Sequence, residues 1–297
     1  MYSTELVVQT FISGVMIGVL YALMALGITF IYSIMRMINW AMGEFYMIGS
    51  YLQYMLVAHL LGPDLWWLAI PISAAGVFAL GLAVQWGLLK PIFKKPPELR
   101  DDYATVVTLA LLLLFRSLAT GIAGPNQFTP GSNLPIVMVG PMPLAGARVA
   151  AFLFALAALA LFWAVLRYTW YGLALRAASQ SRVGVQTAGI DVLGIDRMAF
   201  GIGVALAGLA GALLAPVFLV FPTNGMVTTV KGFEIVVIGG LGSIPGALIA
   251  GLLLGLIETF GAAFLDSAYQ NIYGFLLVLV ILVLRPTGLF GERGREA

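Results

Sequence analysis

Cysteine is absent from the 297 residues, and histidine occurs once, at His59. The first absence excludes disulfides, thiol nucleophiles and thiolate metal sites; the second excludes an imidazole-rich metal centre. Charge is scarce too. Asp, Glu, Lys and Arg make up 9% of the chain, against about 25% in an ordinary soluble domain. At 61% hydrophobic the sequence cannot cover itself with a water-facing surface, so it reads as a polytopic membrane protein. A basic leader is missing as well: Met1-Tyr2-Ser3-Thr4-Glu5 precedes the first apolar run without Lys or Arg, and no small-residue cleavage site follows. That run therefore reads as a permanent span. No catalytic set is present. His59 is poorly placed for a serine pair, there is no intramembrane Asp pair, and HExxH does not occur.

What is present is apolar length. A span needs about 20 mainly apolar residues, and such runs cover roughly 8–34, 41–61, 65–89, 104–123, 149–167, 199–221, a longer stretch 233–262, and 270–284. The expected fold is all-α and polytopic, a single transmembrane domain over 1–297 with about eight membrane helices. Basic residues gather in three connections: Lys90, Lys94, Lys95 and Arg100 in 90–102; Arg167, Arg176, Arg182 and Arg197; and the tail with Arg285, Arg293 and Arg295. Short loops rich in Lys and Arg stay in the cytoplasm. The uncharged loop 124–147 (GPNQFTPGSNLPIVMVGPMPLAGA) then faces the other side, which places the N-terminus outside and the C-terminus inside.

One stretch resists this count. Residues 233–262 must begin and end on the outer side yet are too short for two full spans, and they contain GGLGSIPG at 239–246. A broken helix or re-entrant segment reconciles the two, because irregular backbone is tolerated at membrane depth only inside protein or beside a cavity, and such breaks often form substrate sites. A weak internal echo accompanies it: GEFYMIG (43–49) and GLGSIPG (240–246) share a Gly-x5-Gly frame.

Ionisable side chains inside an apolar span are expensive and are usually functional or paired. Glu44, Arg116, Glu234 and Glu258 qualify. Glu44, in MINWAMGEF after Asn39, reads either as a pathway residue or as a structural cap or ion pair. Arg116 and Glu258 read as structural. Small residues recur at four-residue spacing in Gly14, Gly18 and Ala22; in Gly203, Ala207 and Gly211; and in Ala247, Gly251 and Gly255. Such ladders let helix backbones approach closely in lipid. Between two apolar runs lies 176–196 (RAASQSRVGVQTAGIDVLGID), a polar stretch bracketed by Gly172 and Gly189. Its Ala, Leu and Gln content favours a short helix, with Arg176 and Gln180 one turn apart on a shared face. It is too weakly basic for nucleic acid and too polar for lipid, which suits a groove in a soluble partner.

Five segments together resemble the permeases of bacterial ABC importers for branched-chain amino acids, of the H type: YALMALGITFIY (21–32), INWAMGEFYMIGSY (38–51), GLALRAASQSRVGVQTAGIDV (172–192), FGIGVALAGLAGALLA (200–215) and GGLGSIPGALIAGLLLGLIE (239–258). The resemblance runs in order through nearly the whole chain. It implies an inner-membrane subunit that binds no cofactor, ATP being used by two separate cytoplasmic ATPase subunits. A second permease (M-type, or another copy of this chain) and a periplasmic binding protein would complete the system. The segment 168–197 would be the part that seats in an ATPase, through Gly172, Arg176, Ala177, Ala178, Gln180, Gly184 and Gly189. It departs from the Glu-Ala-Ala pattern of ABC importers, since Arg176 stands where that pattern has Glu and Gly184 falls later than expected.

For a zwitterionic amino acid the pathway would offer dipoles, from the backbone at Gly239, Gly240 and Gly242 and from Asn39, Ser50 and Ser243, with Glu44 and Glu234 nearby. Urea, short amides or aromatic acids are alternative cargoes within the same family. A stand-alone secondary transporter or channel is the competing class; it would need several intramembrane carboxylates or a charged pore ring.

Overall fold

A computed structural model describes residues 4–94, 96–131, 134–139 and 142–291. Lys95, Arg293 and Arg295, on which part of the charge argument rests, lie outside the described residues. The chain is helical nearly throughout. Helix α1 spans Thr4–Met35 and α2 Met42–Leu56, the latter prolonged by a π-turn at Val57–Leu61. Helix α3 covers Trp66–Val84, α4 Pro97–Ala123 and α5 Gly146–Tyr168. Two short helices follow, α6 (Trp170–Gln180) and α7 (Arg182–Thr187), then α8 (Val192–Leu214), α9 (Asn224–Gly239), α10 (Ile244–Phe264) and α11 (Gln270–Leu284). A small hairpin, Val137–Val139 with Met142–Leu144, is the only sheet among the described residues. Among the described residues seven helices are long and apolar enough to cross a membrane; α2 and α9 are not among them.

Two boundaries differ from the sequence expectation. The run placed at 199–221 is helical over 192–214. Asp191 accepts from the Leu193 amide at 3.0 Å and starts the helix inside the polar stretch, and at the other end Pro216, which has no amide to donate, follows Ala215, the cap residue, itself in helical backbone. The segment 233–262 is indeed broken, at 240–243, where Gly240 (φ 98°) and Gly242 (φ 82°) adopt left-handed backbone. Its first arm, however, begins at Asn224, so the break joins a short helix to a complete span.

The small-residue ladders hold the bundle together. Those of α1 and α10 interlock: a methyl group on Gly18 would stand 2.8 Å from the Leu252 Cα, and one on Gly251 would stand 2.6 Å from the Ala22 Cα. Helix α8 inserts its own ladder between α1 and α2, Gly203 against Gly27 and Ile31, Gly208 against Gly49, and Gly211 against the Tyr46 carbonyl. Lipid gives no hydrophobic drive between helices, so such close backbone packing supplies the attraction. Phe45, Phe200 and Phe115 fill the space beside it, with ring centroids 5.5 and 5.9 Å apart.

The connections sort to two ends. Arg182 donates to the Ile34 carbonyl at 3.1 Å, and Gly242 packs on Tyr32 and Ser33, so α6–α7 and the α9–α10 turn both lie at the C-terminal end of α1. The segment after α11 joins them, its Leu289 and Phe290 amides donating to the Ile238 and Gly239 carbonyls at 2.8 and 3.0 Å. At the opposite end Phe128 and Val220 pair as an isolated antiparallel bridge, bringing together the connections after α4 and α8. Just past α1, Arg36 is held at φ 54°, a left-handed backbone that costs a side-chain-bearing residue about 1–2 kcal/mol.

Candidate functional site

Helices α2 and α9, which are not long enough to span, meet at their N-termini inside the bundle. The Met42 methyl that opens α2 touches Gly27 of α1, eight residues and so about 12 Å back from the end of that helix at 1.5 Å per residue. Residues 36–41 therefore climb back into the bundle as irregular backbone. Asn39 shapes this climb by accepting from the Ala41 amide at 3.0 Å. Residues 215–223 perform the same task before α9. Gly43 and Gly225, each second in its helix, lie so close that neither has room for a side chain. The Gly43 amide donates to Thr229 Oγ1 at 3.1 Å, and that hydroxyl donates to the Gly225 carbonyl at 2.9 Å. From this crossing α2 runs to the Phe128 end, where Tyr51 and Tyr54 pack on Phe128, and α9 runs to the other.

Glu44 sits at the crossing. It is fully buried, and its carboxylate accepts no hydrogen bond from any described residue. Its carboxyl carbon stands 2.9 Å from the place a Gly225 side chain would take, which points it at the open end of α9. Each helix N-terminus carries roughly half a positive unit, so two of them converge on one anionic side chain. The guanidinium of Arg116, on α4, donates to the Met226 sulfur at 3.7 Å, and no ion pair within 4.0 Å joins it to the Glu44 carboxylate. Ser50 gives its hydroxyl proton to the Met47 carbonyl and accepts from Asn224 Nδ2 at 3.2 Å, while the Asn224 oxygen is left without a donor.

The other sequence candidates divide. Glu44 and Ser50 belong to the crossing, and Asn39 borders it. Gly239, Gly240, Gly242 and Ser243 lie far down α9, at the C-terminal end of α1, and do not join the crossing. Ser243 caps α10 by accepting from the Gly246 amide at 3.2 Å. Glu234 belongs to a separate buried cluster centred on Lys231, which the sequence reading passes over. Lys231 Nζ binds Glu258 Oε1 and lies 3.5 Å from Glu234 Oε2, and Tyr21 donates to Glu258 Oε2 at 3.1 Å. Gly274 of α11 leaves both carboxylates room, so the cluster ties α1, α9, α10 and α11 together. The spacing Lys231-x-x-Glu234 was its signal, since residues three apart share a helix face.

At the basic end, 168–197 folds as two helices hinged at Ser181, where one short helix was expected. Thr169 caps α6 and Ser181 caps α7, accepting from Gly172 and Gly184 amides at 3.0 Å each. Gly172 fits the tight elbow against the Val165 and Leu166 carbonyls, and Gly189 (φ 77°) ends α7. Ala174, Leu175, Ala178 and Val185 face the bundle. Arg176, Gln180 and Gly184 are exposed, Ala177 lies at the margin, and Val183 projects outward. Arg182 fastens the hinge to α8 through Asp196 at 2.5 Å.

Membrane helices closed around two short ones, with irregular backbone buried at their junction, make an arrangement of the kind transporters use. Comparison with known proteins gives the family. The family model described as the permease component of the branched-chain amino acid transport system matches residues 10–284, and the chain belongs to that family. It is 32% identical to LivH of Escherichia coli K12, a permease protein of a high-affinity branched-chain amino acid transport system, over 96% of this chain and 95% of that one. BraD of Pseudomonas aeruginosa, described in the same words, is 30% identical over the same shares. LivM of Salmonella typhimurium, also a permease protein of such a system, is 26% identical over 91% of this chain and 67% of its own length. No solved structure matches.

Proposed function

We propose that the chain is a permease subunit of an ATP-driven ABC importer that carries branched-chain or related amino acids across the inner membrane by alternating access. The observation that carries this reading is the head-to-head meeting of α2 and α9 around Glu44. An interrupted helix pair presents partial positive charge and unpaired polar atoms inside a bundle, where a zwitterion needs both signs. Glu44 would take the ammonium group, with Ser50 and Asn224 beside it. Asn39 and Glu234 then act by placing α2 and α9, and the turn at 239–243 by anchoring the far end of α9.

The end carrying Lys90, Arg100, Arg176, Arg182, Arg197 and Arg285 is read as cytoplasmic, which puts the N-terminus in the periplasm. Two ATPase subunits supply the energy and use the ATP; this chain holds no cofactor, metal or catalytic group. One ATPase seats on the exposed face of α6 and α7, since a short amphipathic helix suits a groove. The resemblance to both LivH and LivM supports an M-type partner permease, and a periplasmic binding protein delivers cargo at the Phe128 end.

Removing 176–188 is expected to abolish co-purification of an ATPase subunit while leaving membrane insertion intact; retained ATPase would overturn the docking assignment. In vesicles holding the complete transporter, Glu44→Gln is expected to cut leucine uptake about tenfold, since a charge-assisted hydrogen bond is worth about 1.5–3 kcal/mol. Unchanged uptake would remove Glu44 from the pathway.

A further inference from the structure

A cavity of about 230 Å³ opens at the basic end of the bundle, between the end of α1, the turn at Lys90–Lys94, the start of α4 and α7. Arg36, Arg100 and Arg182 line it together with Asp101, and Met37 and Ile92 form its apolar wall. We propose that it binds the phosphodiester headgroup of an anionic phospholipid from the leaflet at this end.

Charge and position both point to that ligand. Three arginines line the cavity with one carboxylate, Asp101, and Asp196 sits behind Arg182 at 2.5 Å. Among these five described residues one positive charge is in excess, which matches a phosphodiester monoanion. Arg36 is the arginine without a counter-charge: its side chain is exposed and forms no hydrogen bond or ion pair with any described residue. Guanidinium forks suit phosphate oxygens, which they can grip with two parallel bonds. Met37 and Ile92 are 4% and 1% exposed, so the wall offers a ligand little apolar contact, and position is what favours a lipid over a soluble anion. Just before this turn Trp86 and Leu88 are 63% and 45% exposed, an aromatic and an aliphatic side chain of the kind found where a helix leaves lipid. Basic pockets between helix ends are established headgroup sites.

The backbone of Arg36 supplies an independent observation. A left-handed residue favours glycine, so a long cationic side chain at φ 54° is held at a conformational disadvantage. Such outliers mark positions where the side chain has work to do. A headgroup bound here would also couple elements, since Arg182 contacts the Ile34 carbonyl and Asp196 as well as the cavity. It would bridge the end of α1, the start of α4 and the α7 segment.

The same backbone makes a clean test available. Arg36→Gly removes the charge while relieving the left-handed strain, so lost binding cannot be put down to a damaged fold; Arg100→Gln is the second variant. The purified full chain, exchanged into micelles doped with equal phosphatidylglycerol and phosphatidylcholine, is examined by native mass spectrometry. Wild type is expected to retain phosphatidylglycerol at least fivefold over phosphatidylcholine, and both variants to fall to parity. Parity in wild type, or undiminished preference in Arg36→Gly, overturns the proposal. Displacement of the lipid by millimolar inorganic phosphate overturns it in favour of a free-phosphate site. Undiminished lipid preference with lost ATPase co-purification in Arg36→Gly overturns it in favour of a protein-docking cavity.

Discussion

Lys231→Met is expected to destabilise the protein by about 3–5 kcal/mol, the cost of leaving a buried ion without its partner. Lys231, Glu234 and Glu258 are each at most 7% exposed, in a bundle where the surrounding medium cannot solvate a stray carboxylate. The substitution keeps the volume of the side chain and removes its charge, so Glu258 retains only the Tyr21 hydroxyl. Glu258→Gln is expected to cost less, because Lys231 keeps Glu234 at 3.5 Å, and adding it to Lys231→Met should recover part of the loss. Thermal midpoints of the purified chain in detergent, followed by loss of the monodisperse peak in size-exclusion chromatography, measure all three. Equal midpoints for Lys231→Met and wild type would mean that the cluster contributes nothing to holding α1, α9, α10 and α11 together.

Gly43→Ala is expected to cost about 1–3 kcal/mol, as an added methyl does in a filled interior, and to reduce transport beyond what stability explains. The new carbon would collide with the Gly225 carbonyl and the Thr229 hydroxyl. The obstruction is backbone, which no rotamer change relieves, so the N-termini of α2 and α9 must separate. The bond from the Gly43 amide to Thr229 goes with them. Gly87→Ala is the matched control: nothing lies within 4 Å of a methyl there, and alanine favours helical backbone over glycine by about 1 kcal/mol. A Gly43→Ala protein with wild-type uptake and midpoint would show that the crossing is looser than its geometry indicates.

The sequence revealed the seven spans, the three ladders and the break at 240–243, because each is written in local composition, while 41–61, taken for a span, holds the shorter α2. Apolar length marks a span wherever it packs, and small residues four apart mark a close approach without naming the partner. What stayed hidden was pairing. That the ladders of α1 and α10 lock into each other is a property of two segments more than two hundred residues apart. Lys231 falls in the gap between the apolar runs 199–221 and 233–262, so an inventory of charges inside spans omits it. Glu44 was legible as an expensive residue, whereas Asn224, Thr229 and Gly225, which build its surroundings, carry no charge and sit in a stretch taken for a connection. The Gly-x5-Gly echo pointed at the wrong pair of segments. The structural counterpart of 36–49 is 215–239, in each case irregular backbone climbing into the bundle before a short helix, and only the coordinates display that likeness.

The convergence of two helix N-termini on one carboxylate also fixes the electrical character of the crossing. Two partial charges of roughly half a unit offset a negative charge on Glu44, so the two helix ends and the carboxylate together come close to neutral. The zwitterionic cargo proposed above would be neutral as well, so no net charge would travel through the membrane field with it. Moving one elementary charge would be worth about 2.3 kcal/mol per 100 mV; here that lever has nothing to push. On the proposed function the resting potential neither drives nor opposes uptake, and the gradient such a permease could build would depend on the energy its proposed ATPase partners deliver.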